Sequence, residues 1–371
     1  MSKARQLAQS ASAPEGRKNI VTNGAMQVAQ RGTSVADVGS GSAELIVDRF
    51  TCSFGGSTAG RLTMSQDSDS PSGFANSLKL DCTTADTSVG SSEFLVLQTK
   101  FEGQDLQRFM KGTSDAKEYA LSFYVKGNAS ATYVCELADR DNSRGVSKTF
   151  SVTTGWTRVE LTFPADTTGA FDDNTSRSLD IQLWLHAGSL YTSGTLQQTW
   201  AGFTSANRAV GGDSFFDSTD RTLFITGMQL EVGSVATEFE HQKYCDVYKD
   251  CQRYYYKSGD NATSSEEWTP GTATNAGKGM YYALAADGLQ DRAYPALQWP
   301  VQMRAAPSVT FYPGRSDVTN TADRIVAYNN TSLITFTQSP NPYSNGLTGF
   351  FAGTSADSPF YAYQVIADAE L

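Results

Sequence analysis

From NIVTNGAMQVAQRG, residues 19–32, onward to residue 232, runs of alternating apolar and polar residues recur, and turn-forming residues bound each run. A period of two is typical of β-strands, because successive side chains of a strand point to opposite faces. No βαβ rhythm competes with this pattern, which therefore favours an antiparallel β-sandwich. The runs are, in chain order, LIVDRFTCSF, RLTMSQD, SLKLDCT, EFLVLQTKF, YALSFYVKG, ATYVCELAD, GVSKTFSV, WTRVELTF, SLDIQLWLHAG and TLFITGMQLEV.

Two segments have helical spacing instead. EGQDLQRFMKG, residues 102–112, places Leu106, Phe109 and Met110 on one face and predicts a helical insertion. After the last strand-like run, apolar residues recur every three or four positions, which predicts a short amphipathic helix at about 240–252. That periodic set is Tyr244, Val247, Tyr248, Cys251, Tyr254 and Tyr255.

Strand-like runs resume after this second helix and continue to the C-terminus, whose last strand we expect to be held in a sheet. The sequence therefore predicts an all-β protein with a sandwich at 19–240 and a second β domain at 259–371. Between them lies a helical connector at 241–258, which we interpret as a spacer that sets the orientation of two β units.

The N-terminal residues carry a third pattern. Ala4, Leu7 and Ala11 lie at helical spacing, and SAPEG ends that run. A helix of about ten residues is marginal alone in water, so we expect residues 1–18 to form an arm that orders on a partner. The segment lacks the apolar centre of a signal peptide, and no apolar run approaches the roughly 20 residues of a membrane span. We therefore expect cytoplasmic synthesis and no membrane insertion.

The charge balance limits the partners. The 371 residues carry a formal net charge of −10, which argues against binding to nucleic acid or to an anionic membrane surface. The five cysteines include no CxxC pair, so we interpret them as free thiols of a reducing cytoplasm. A straight helix would forbid a bridge between Cys245 and Cys251. With only two histidines, His186 and His241, we expect no metal site and no cofactor.

Ordered blocks of the sequence resemble the tail-fibre and virion-appendage proteins of tailed bacteriophages. These blocks include NIVTNGAMQVAQRGTS, VDRF, FEGQDLQRFMKG, YALSFYVKG, GWTRVELTFP, FITGMQLEVGSVATEFE, CQRYYYKS and PVQMRAAPSVTF. The first domain is similar to the galactose-binding-like jelly-roll modules that bind carbohydrate, which implies a jelly-roll sandwich. MSKARQLAQSASAPEG looks like the virion-attachment end of phage fibre proteins.

The resemblance implies a virion structural protein, commonly a homotrimer, that adsorbs to host-surface polysaccharide. It also implies docking to other virion or tail proteins through the N-terminal arm with Ala4, Leu7 and Ala11. Synthesis in the host cytoplasm and final location in the virion follow from the same resemblance. Two alternatives stay open: a purely architectural virion protein, such as a capsid decoration or tail adaptor, and a glycan depolymerase.

Two stretches bear on a structural cation. Modules of this type often place acidic residues near a calcium in their last strand, but residues 225–228 here read ITGM, which departs from that pattern. DRDNSRG, residues 139–145, alternates Asp139, Asp141 and Ser143 as cation ligands do, yet it lacks the Gly and Glu positions of an EF-hand loop. We therefore interpret it as a hairpin turn.

Alternation sorts the side chains of each strand into two faces, and the faces opposite the core supply the predicted glycan site. Aromatic rings stack on the apolar faces of sugars, while amide, carboxylate and guanidinium groups bond their hydroxyls. The alternatives are that these strands belong to different sheets or that the face meets a neighbouring subunit. The predicted glycan-binding residues are Gln182, Trp184 and His186 of one strand, Tyr124 and Arg158 of two others, and Trp200 of a loop.

Other candidates have simpler interpretations. Trp156 follows a glycine at the start of a strand, where we expect core packing. Trp200 and Phe203 are loop aromatics that either bind a ligand or lie under the loop. A depolymerase would need two carboxylates on one face, and Glu136 and Glu160 are the candidates for that pair. The sequence contains no GxSxG, P-loop or dinucleotide-binding turn, so we expect no enzymatic activity.

Overall fold

The computed structural model forms two compact units, Met1–Tyr244 and Cys245–Leu371. The predicted docking residues Ala4, Leu7 and Ala11 lie outside the described residues. The structure describes residues 17–39, 46–258, 281–286, 289–295, 297–313, 324–327, 333–335, 341–348, 351–352 and 360–371.

Strands in the described part of the first unit pair in two six-stranded antiparallel sheets. Their bounds are β1 (Ser34–Val38), β2 (Thr51–Gly55), β3 (Arg61–Asp67), β4 (Ser77–Thr84), β5 (Phe94–Glu102), β6 (Tyr119–Gly127), β7 (Ala131–Asp139), β8 (Arg144–Val152), β9 (Thr157–Phe163), β10 (Arg177–Ala187), β11 (Ala201–Gly202) and β12 (Thr222–Val232).

The first sheet has the strand order β1-β3-β4-β12-β6-β9, and the second has the order β11-β8-β7-β10-β5-β2. The last strand, β12, thus lies inside the first sheet, while β10 lies inside the second. This arrangement confirms the predicted all-β jelly-roll sandwich. Every predicted run coincides with one of the strands β2 to β10 or with β12, whereas β1 and the two-residue β11 lie outside the predicted runs.

The core fills the space between the two sheets, because each strand turns one apolar face inward. In β10 the inward residues are Ile181, Leu183 and Leu185, as the alternation predicts, and in β6 they include Phe123 and Val125. All five side chains are at most 1% exposed. Complete burial of such a side chain contributes about 1.5–3 kcal/mol to the stability of the fold. The inward-facing residues of these two strands therefore supply much of the packing energy.

A β-bulge keeps β12 in register with this core. The pairing of β12 with β6 shifts between Thr226 and Gln229, and Gly227 at the bulge has a φ of 63°. A Cβ atom on Gly227 would lie 2.7 Å from the ring of Phe74, so both the conformation and the packing favour glycine. After the bulge, Met228 returns to the core and is 1% exposed.

Helical structure in the described part of the first unit is limited to short pieces. The segment 102–112 forms two 3-10 turns, Gly103–Asp105 and Gln107–Phe109, rather than one amphipathic helix. Leu106 and Phe109 are buried as predicted, but Met110 is 41% exposed and takes a left-handed conformation that ends the turn. The other pieces are α1 (Ser189–Thr192) and the 3-10 turns Ser205–Asn207 and Phe215–Asp217.

The predicted amphipathic helix occurs as α2 (Tyr244–Gln252), and all of its residues except the first belong to the second unit. Its apolar stripe is partly as expected, since Val247 and Cys251 are buried, whereas Tyr244 is 55% exposed. The next strand, β13 (Tyr255–Lys257), pairs with the C-terminal strand. The predicted connector therefore ends earlier than residue 258, because its last residues belong to the C-terminal sheet. Its role as a spacer stays a prediction.

The second unit contains an eight-stranded sheet and a separate hairpin in its described residues. The C-terminal strand pairs with four others, which confirms that the end of the chain is held in a sheet. The remaining strands are β14 (Tyr281–Ala286), β15 (Leu289–Pro295), β16 (Ser308–Pro313), β17 (Arg324–Ala327), β18 (Leu333–Thr335), β19 (Asn341–Tyr343), β20 (Gly346–Thr348), β21 (Phe351–Ala352) and β22 (Phe360–Asp368).

Candidate functional site

The outer surface of the first sheet carries a group of aromatic side chains, which we call the aromatic face. Tyr124 of β6 and Phe224 of β12 alternate with core residues, so their side chains point away from the core. Trp156 directly precedes β9, and the other members come from loops beside the sheet. All of these side chains retain exposed surface. The aromatic face consists of Phe74, Tyr124, Trp156, Phe224, Phe239 and His241.

The rings of the aromatic face form two clusters. Phe74 is the centre of the first cluster, with its ring centroid 5.4 Å from Tyr124, 5.0 Å from Phe239 and 5.1 Å from His241. Trp156 and Phe224 form the second cluster, 6.3 Å apart and inclined at 67°. Edge-to-face contacts of this kind are favourable. They orient the rings before any ligand arrives.

Two lysines lie against the Trp156–Phe224 cluster. Strand pairing places Phe224 opposite Lys79 on one side and Lys126 on the other. The Lys126 ammonium lies 4.9 Å from the centroid of Phe224 and 5.7 Å from that of Trp156, and Lys79 lies 5.6 Å from Phe224. Cation–π attraction stabilises these positions, so hydrogen-bond donors lie over the faces of the two rings.

Asp69 links the indole to one of these cations. Its carboxylate accepts a hydrogen bond from Trp156 Nε1 at 3.0 Å and pairs with Lys126. The hydrogen bonds from Lys126 and from Trp156 hold the pKa of Asp69 below its ordinary value of 3.8. The carboxylate is therefore ionised at neutral pH and fixes the orientation of the indole, while 41% of its own side chain stays exposed.

Arg158 marks the edge of the open part of the sheet. Its guanidinium contacts Glu160 at 2.6 Å and Ser122 Oγ at 3.2 Å, and it also donates to the carbonyl oxygen of Thr237. Gln229, on the same outer surface, donates to the carbonyl oxygen of Glu238 at 3.2 Å. The chain after β12 thus packs on the sheet at Arg158 and Gln229, and it supplies Phe239 and His241 to the first cluster of the aromatic face.

The open surface combines flat apolar groups with polar groups of both signs. The rings offer stacking surfaces, and the lysine, carboxylate and guanidinium groups around them can donate to or accept from hydroxyl groups. Three ion pairs lie on this surface, so each of these charged side chains has a partner of opposite sign. The charged members are Lys79, Lys126, Arg158, Asp69, Asp81 and Glu160.

The structure contradicts the predicted single glycan patch. Tyr124 and Arg158 belong to β6 and β9 of the first sheet, whereas Gln182, Trp184 and His186 belong to β10 of the second. The outer faces of two packed sheets point in opposite directions, so these residues cannot line one surface. Tyr124 and Arg158 lie at the aromatic face, and the β10 residues lie elsewhere.

The β10 residues are moreover covered. Trp184 is 3% exposed, and its Nε1 donates to Glu136 at 2.9 Å. The guanidinium of Arg208 lies 4.9 Å from the centroid of its ring, and Tyr191 of α1 lies 5.1 Å away. Gln182 is 6% exposed and His186 is 1% exposed. The long connection from β10 to β12 folds back over this sheet, so the expected adhesive patch on β10 is wrong.

Trp200 is likewise a structural residue. It is 9% exposed, its Nε1 donates to the carbonyl oxygen of Pro164 at 2.7 Å, and its ring centroid lies 5.7 Å from that of Tyr119. Of the two interpretations of Trp200, ligand binding and burial under the loop, burial is therefore the correct one. Phe203 is half-buried, with the guanidinium of Arg208 4.8 Å from its centroid.

Trp156 corrects the sequence analysis in the opposite sense. We expect a core residue at this position, but Trp156 is partly exposed at the aromatic face. The alternation of residues in β9 already indicates that Trp156 points away from the core. Val159 and Phe163 of β9 point into the core, and alternation from Val159 then directs residues 156 and 158 outward.

The remaining candidates lie apart from each other. Glu136 of β7 is in the second sheet and Glu160 of β9 is in the first, so they do not form the carboxylate pair that a depolymerase requires. The segment 139–145 connects β7 to β8 as the predicted hairpin, and Ser143 takes a left-handed conformation with a φ of 53°. No helix in the described part of the chain is long and apolar enough to cross a membrane.

Comparison with known proteins finds distant structural similarity. Neither the known protein families nor the curated proteins include a match to this sequence. The family 11 carbohydrate-binding module from Clostridium thermocellum, solved with a β-1,3-1,4-mixed-linked tetrasaccharide, aligns with 57% of this chain and 99% of its own, at 11% identity and a TM-score of 0.28.

Two further solved structures are similar over a comparable share of the chain. A family 30 carbohydrate-binding module aligns with 57% of this chain and 93% of its own, at 14% identity and a TM-score of 0.30. The enzymatically active domain of tailspike protein 4 of bacteriophage CBA120 aligns with 58% of this chain and 21% of its own, at 10% identity and a TM-score of 0.29. The jelly-roll assignment made above rests on the strand order of this chain and not on these alignments.

Proposed function

We propose that this protein is a tail-fibre or appendage subunit of a tailed bacteriophage and that its first unit adsorbs to host-surface glycan through the aromatic face. The observation that carries the glycan proposal is the partly exposed Trp156–Phe224 cluster with Lys126 and Asp69 at its edge. The phage origin is supported by the resemblance of the sequence blocks described above. Docking to the virion is assigned to residues 1–18.

The physical basis of the binding is stacking combined with hydrogen bonding. A sugar ring presents C–H groups on its apolar face, which pack on an aromatic ring, and its hydroxyls point outward to polar partners. Trp156 is held by Asp69 and Phe224, so little conformational entropy is lost when a sugar stacks on it. The charged groups beside the rings are paired with one another, so the proposal is for a neutral glycan and for binding that is insensitive to salt.

Weak binding at one face is sufficient for such a role. A homotrimer repeated on a virion raises the effective concentration of each further contact, and avidity can exceed the single-site affinity by roughly 10²–10⁴. The proposal includes no chemical step. Release of reducing ends from an envelope polysaccharide by the purified protein would instead identify a depolymerase.

An architectural virion protein is the alternative function. The same partly exposed rings could be covered by a neighbouring subunit, and the face would then be unavailable for sugar. A capsid decoration or tail adaptor of this kind would bind no polysaccharide, and substitutions in the aromatic face would change its oligomeric state. Size-exclusion chromatography with light scattering on the variants below separates these outcomes.

The test is binding of the full chain to a panel of immobilised bacterial envelope polysaccharides, followed by variants tested on any polysaccharide that binds. We expect Trp156→Ala to weaken binding roughly tenfold, the upper range for one aromatic contact. Tyr244→Ala removes a ring that is 55% exposed and outside the aromatic face, so it is the matched control. Unchanged binding by a folded Trp156→Ala protein would overturn the assignment of the site.

A further inference from the structure

Three side chains with metal-binding atoms converge at one end of the first unit. Asp86 and Glu93 lie in the connection between β4 and β5, and His186 lies near the end of β10. One ligand atom from each residue lies within 4.8 Å of the others. Asp86 is 6% exposed and His186 is 1% exposed, while Glu93 keeps 12% of its side chain exposed. The cluster is therefore buried with one side open to solvent.

The second ring nitrogen of His186 is the unexplained atom of this cluster. His186 Nδ1 lies 2.7 Å from Ser214 Oγ, a bond that fits a protonated Nδ1. His186 Nε2 is buried and has no hydrogen-bond partner in the described part of the chain. It faces Glu93 Oε2 at 3.9 Å, which is too long for a hydrogen bond. A lone pair that faces a carboxylate is unfavourable unless a cation lies between them.

The tautomer with its proton on Nδ1 leaves a lone pair on Nε2, and this is the form of imidazole that ligates a metal.

The two carboxylates are held in place by other groups. Asp86 Oδ2 accepts hydrogen bonds from Thr58 Oγ1 at 2.8 Å and from the Ala59 N–H at 2.7 Å. Glu93 Oε2 accepts one from the Gly90 N–H at 2.7 Å. Each carboxylate thus keeps lone pairs for a further partner, and the backbone contacts are typical of the outer shell that orients metal ligands.

We propose that Asp86, Glu93 and His186 form a site for one divalent transition-metal ion of the zinc type, with water as the fourth ligand. One nitrogen and two carboxylate ligands suit tetrahedral zinc, whereas calcium requires six to eight oxygen ligands. The two negative charges balance the ion. Ligand atoms around tetrahedral zinc are about 3.4 Å apart, so the partly exposed Glu93 side chain closes on the metal as it binds. The metal would tie the β4–β5 connection to β10.

The test uses the full chain carrying Cys245→Ser, since Cys245 is the exposed thiol among five free cysteines and thiolates also bind zinc. After treatment with EDTA, we expect calorimetry to show one zinc ion bound per chain. A zinc concentration of a hundred times the Kd should raise the Tm of the first unit by roughly 5–10 °C. Calcium and magnesium at the same concentration should give no comparable shift.

Variants assign the binding to these residues. Glu93→Gln removes a ligand at the open side and should weaken zinc binding by roughly tenfold or more, and His186→Gln should do the same. Glu118→Gln changes an exposed carboxylate elsewhere and is the matched control. If His186→Gln does not fold, Glu93→Gln decides the test alone. Absence of a zinc-dependent shift, or equal zinc affinity in Glu93→Gln and its parent, would overturn the proposal.

Discussion

Lys111 is the cation of a buried ion cluster in the first unit, and its removal gives the sharpest stability prediction. Its ammonium lies 2.6 Å from Asp139 and 3.1 Å from Asp166. It also donates to the carbonyl oxygens of Thr168 at 2.9 Å and Gly169 at 2.6 Å. The side chains of Lys111 and Asp139 are 0% exposed, and that of Asp166 is 4% exposed. This cation is what compensates two carboxylates that are out of contact with water.

Replacement of Lys111 by Met retains the length of the side chain and removes the charge. Asp166 keeps Arg144 at 2.9 Å, whereas among the described residues Asp139 keeps hydrogen bonds from Asn142 alone. Loss of one partner from a buried ion pair destabilises a protein by about 3–5 kcal/mol, because the remaining charge is uncompensated. For a unit of this size, that loss lowers the Tm by roughly 6–20 °C.

Urea unfolding of the full chain, followed by tryptophan fluorescence and far-UV circular dichroism, measures this loss. Lys117→Met changes an exposed lysine six positions along and should stay within about 0.5 kcal/mol of the parent. Asp139→Asn in the Lys111→Met background should recover part of the stability, since it removes the uncompensated charge. A loss below about 1 kcal/mol for Lys111→Met, with an unchanged m-value, would refute the argument.

Three further predictions address the site and the core. Trp184→Ala should destabilise the first unit by about 3–5 kcal/mol, because it empties a covered position. Urea titration measures this loss, and a folded variant that keeps the parental stability and loses only glycan binding would contradict the prediction. Ellman's reagent should find one fast thiol, Cys245, because burial raises the pKa of Cys52 to about 12 and that of Cys82 to about 11; two fast thiols in native protein would contradict it. The pKa of Asp69 is below 3.8 in the folded protein, so its contribution is present above that value and lost as the pH falls through the folded pKa. In a His241→Gln variant, which removes the histidine of the aromatic face, glycan binding should accordingly be level from pH 8 to about 5, and a midpoint above pH 5 would contradict the role of Asp69.

Much of the fold was predictable from local patterns. The alternation in SLDIQLWLHAG correctly assigned Ile181, Leu183 and Leu185 to the core, because strand geometry alone sets which side chains share a face. The three- and four-residue spacing after the sandwich correctly predicted α2. The prediction of a helix at 102–112 was wrong, because the segment forms two 3-10 turns and Met110 then takes a left-handed conformation. This is a tertiary effect that the spacing of apolar residues does not predict.

The candidate site was less predictable, because exposure is not a local property. Alternation placed Trp184 on the face opposite the core, which is correct. Whether that face meets water depended on the connection from β10 to β12, which brings Tyr191 and Arg208 over the indole. Trp156 had the weaker sequence signal and became a partly exposed ring, because the chain after β12 packs on Arg158 and Gln229 and does not bury the indole.

The sequence by itself determined that this protein is built of strands and which face of each strand is apolar, since both follow from the two-residue repeat of the backbone. The tertiary structure alone decided which outward faces stay open and which distant side chains meet. Lys111 with Asp139 and Asp166, and His186 with Asp86 and Glu93, are brought together by loops from different strands. The physical reason is that burial and charge pairing depend on packing between segments far apart in the chain.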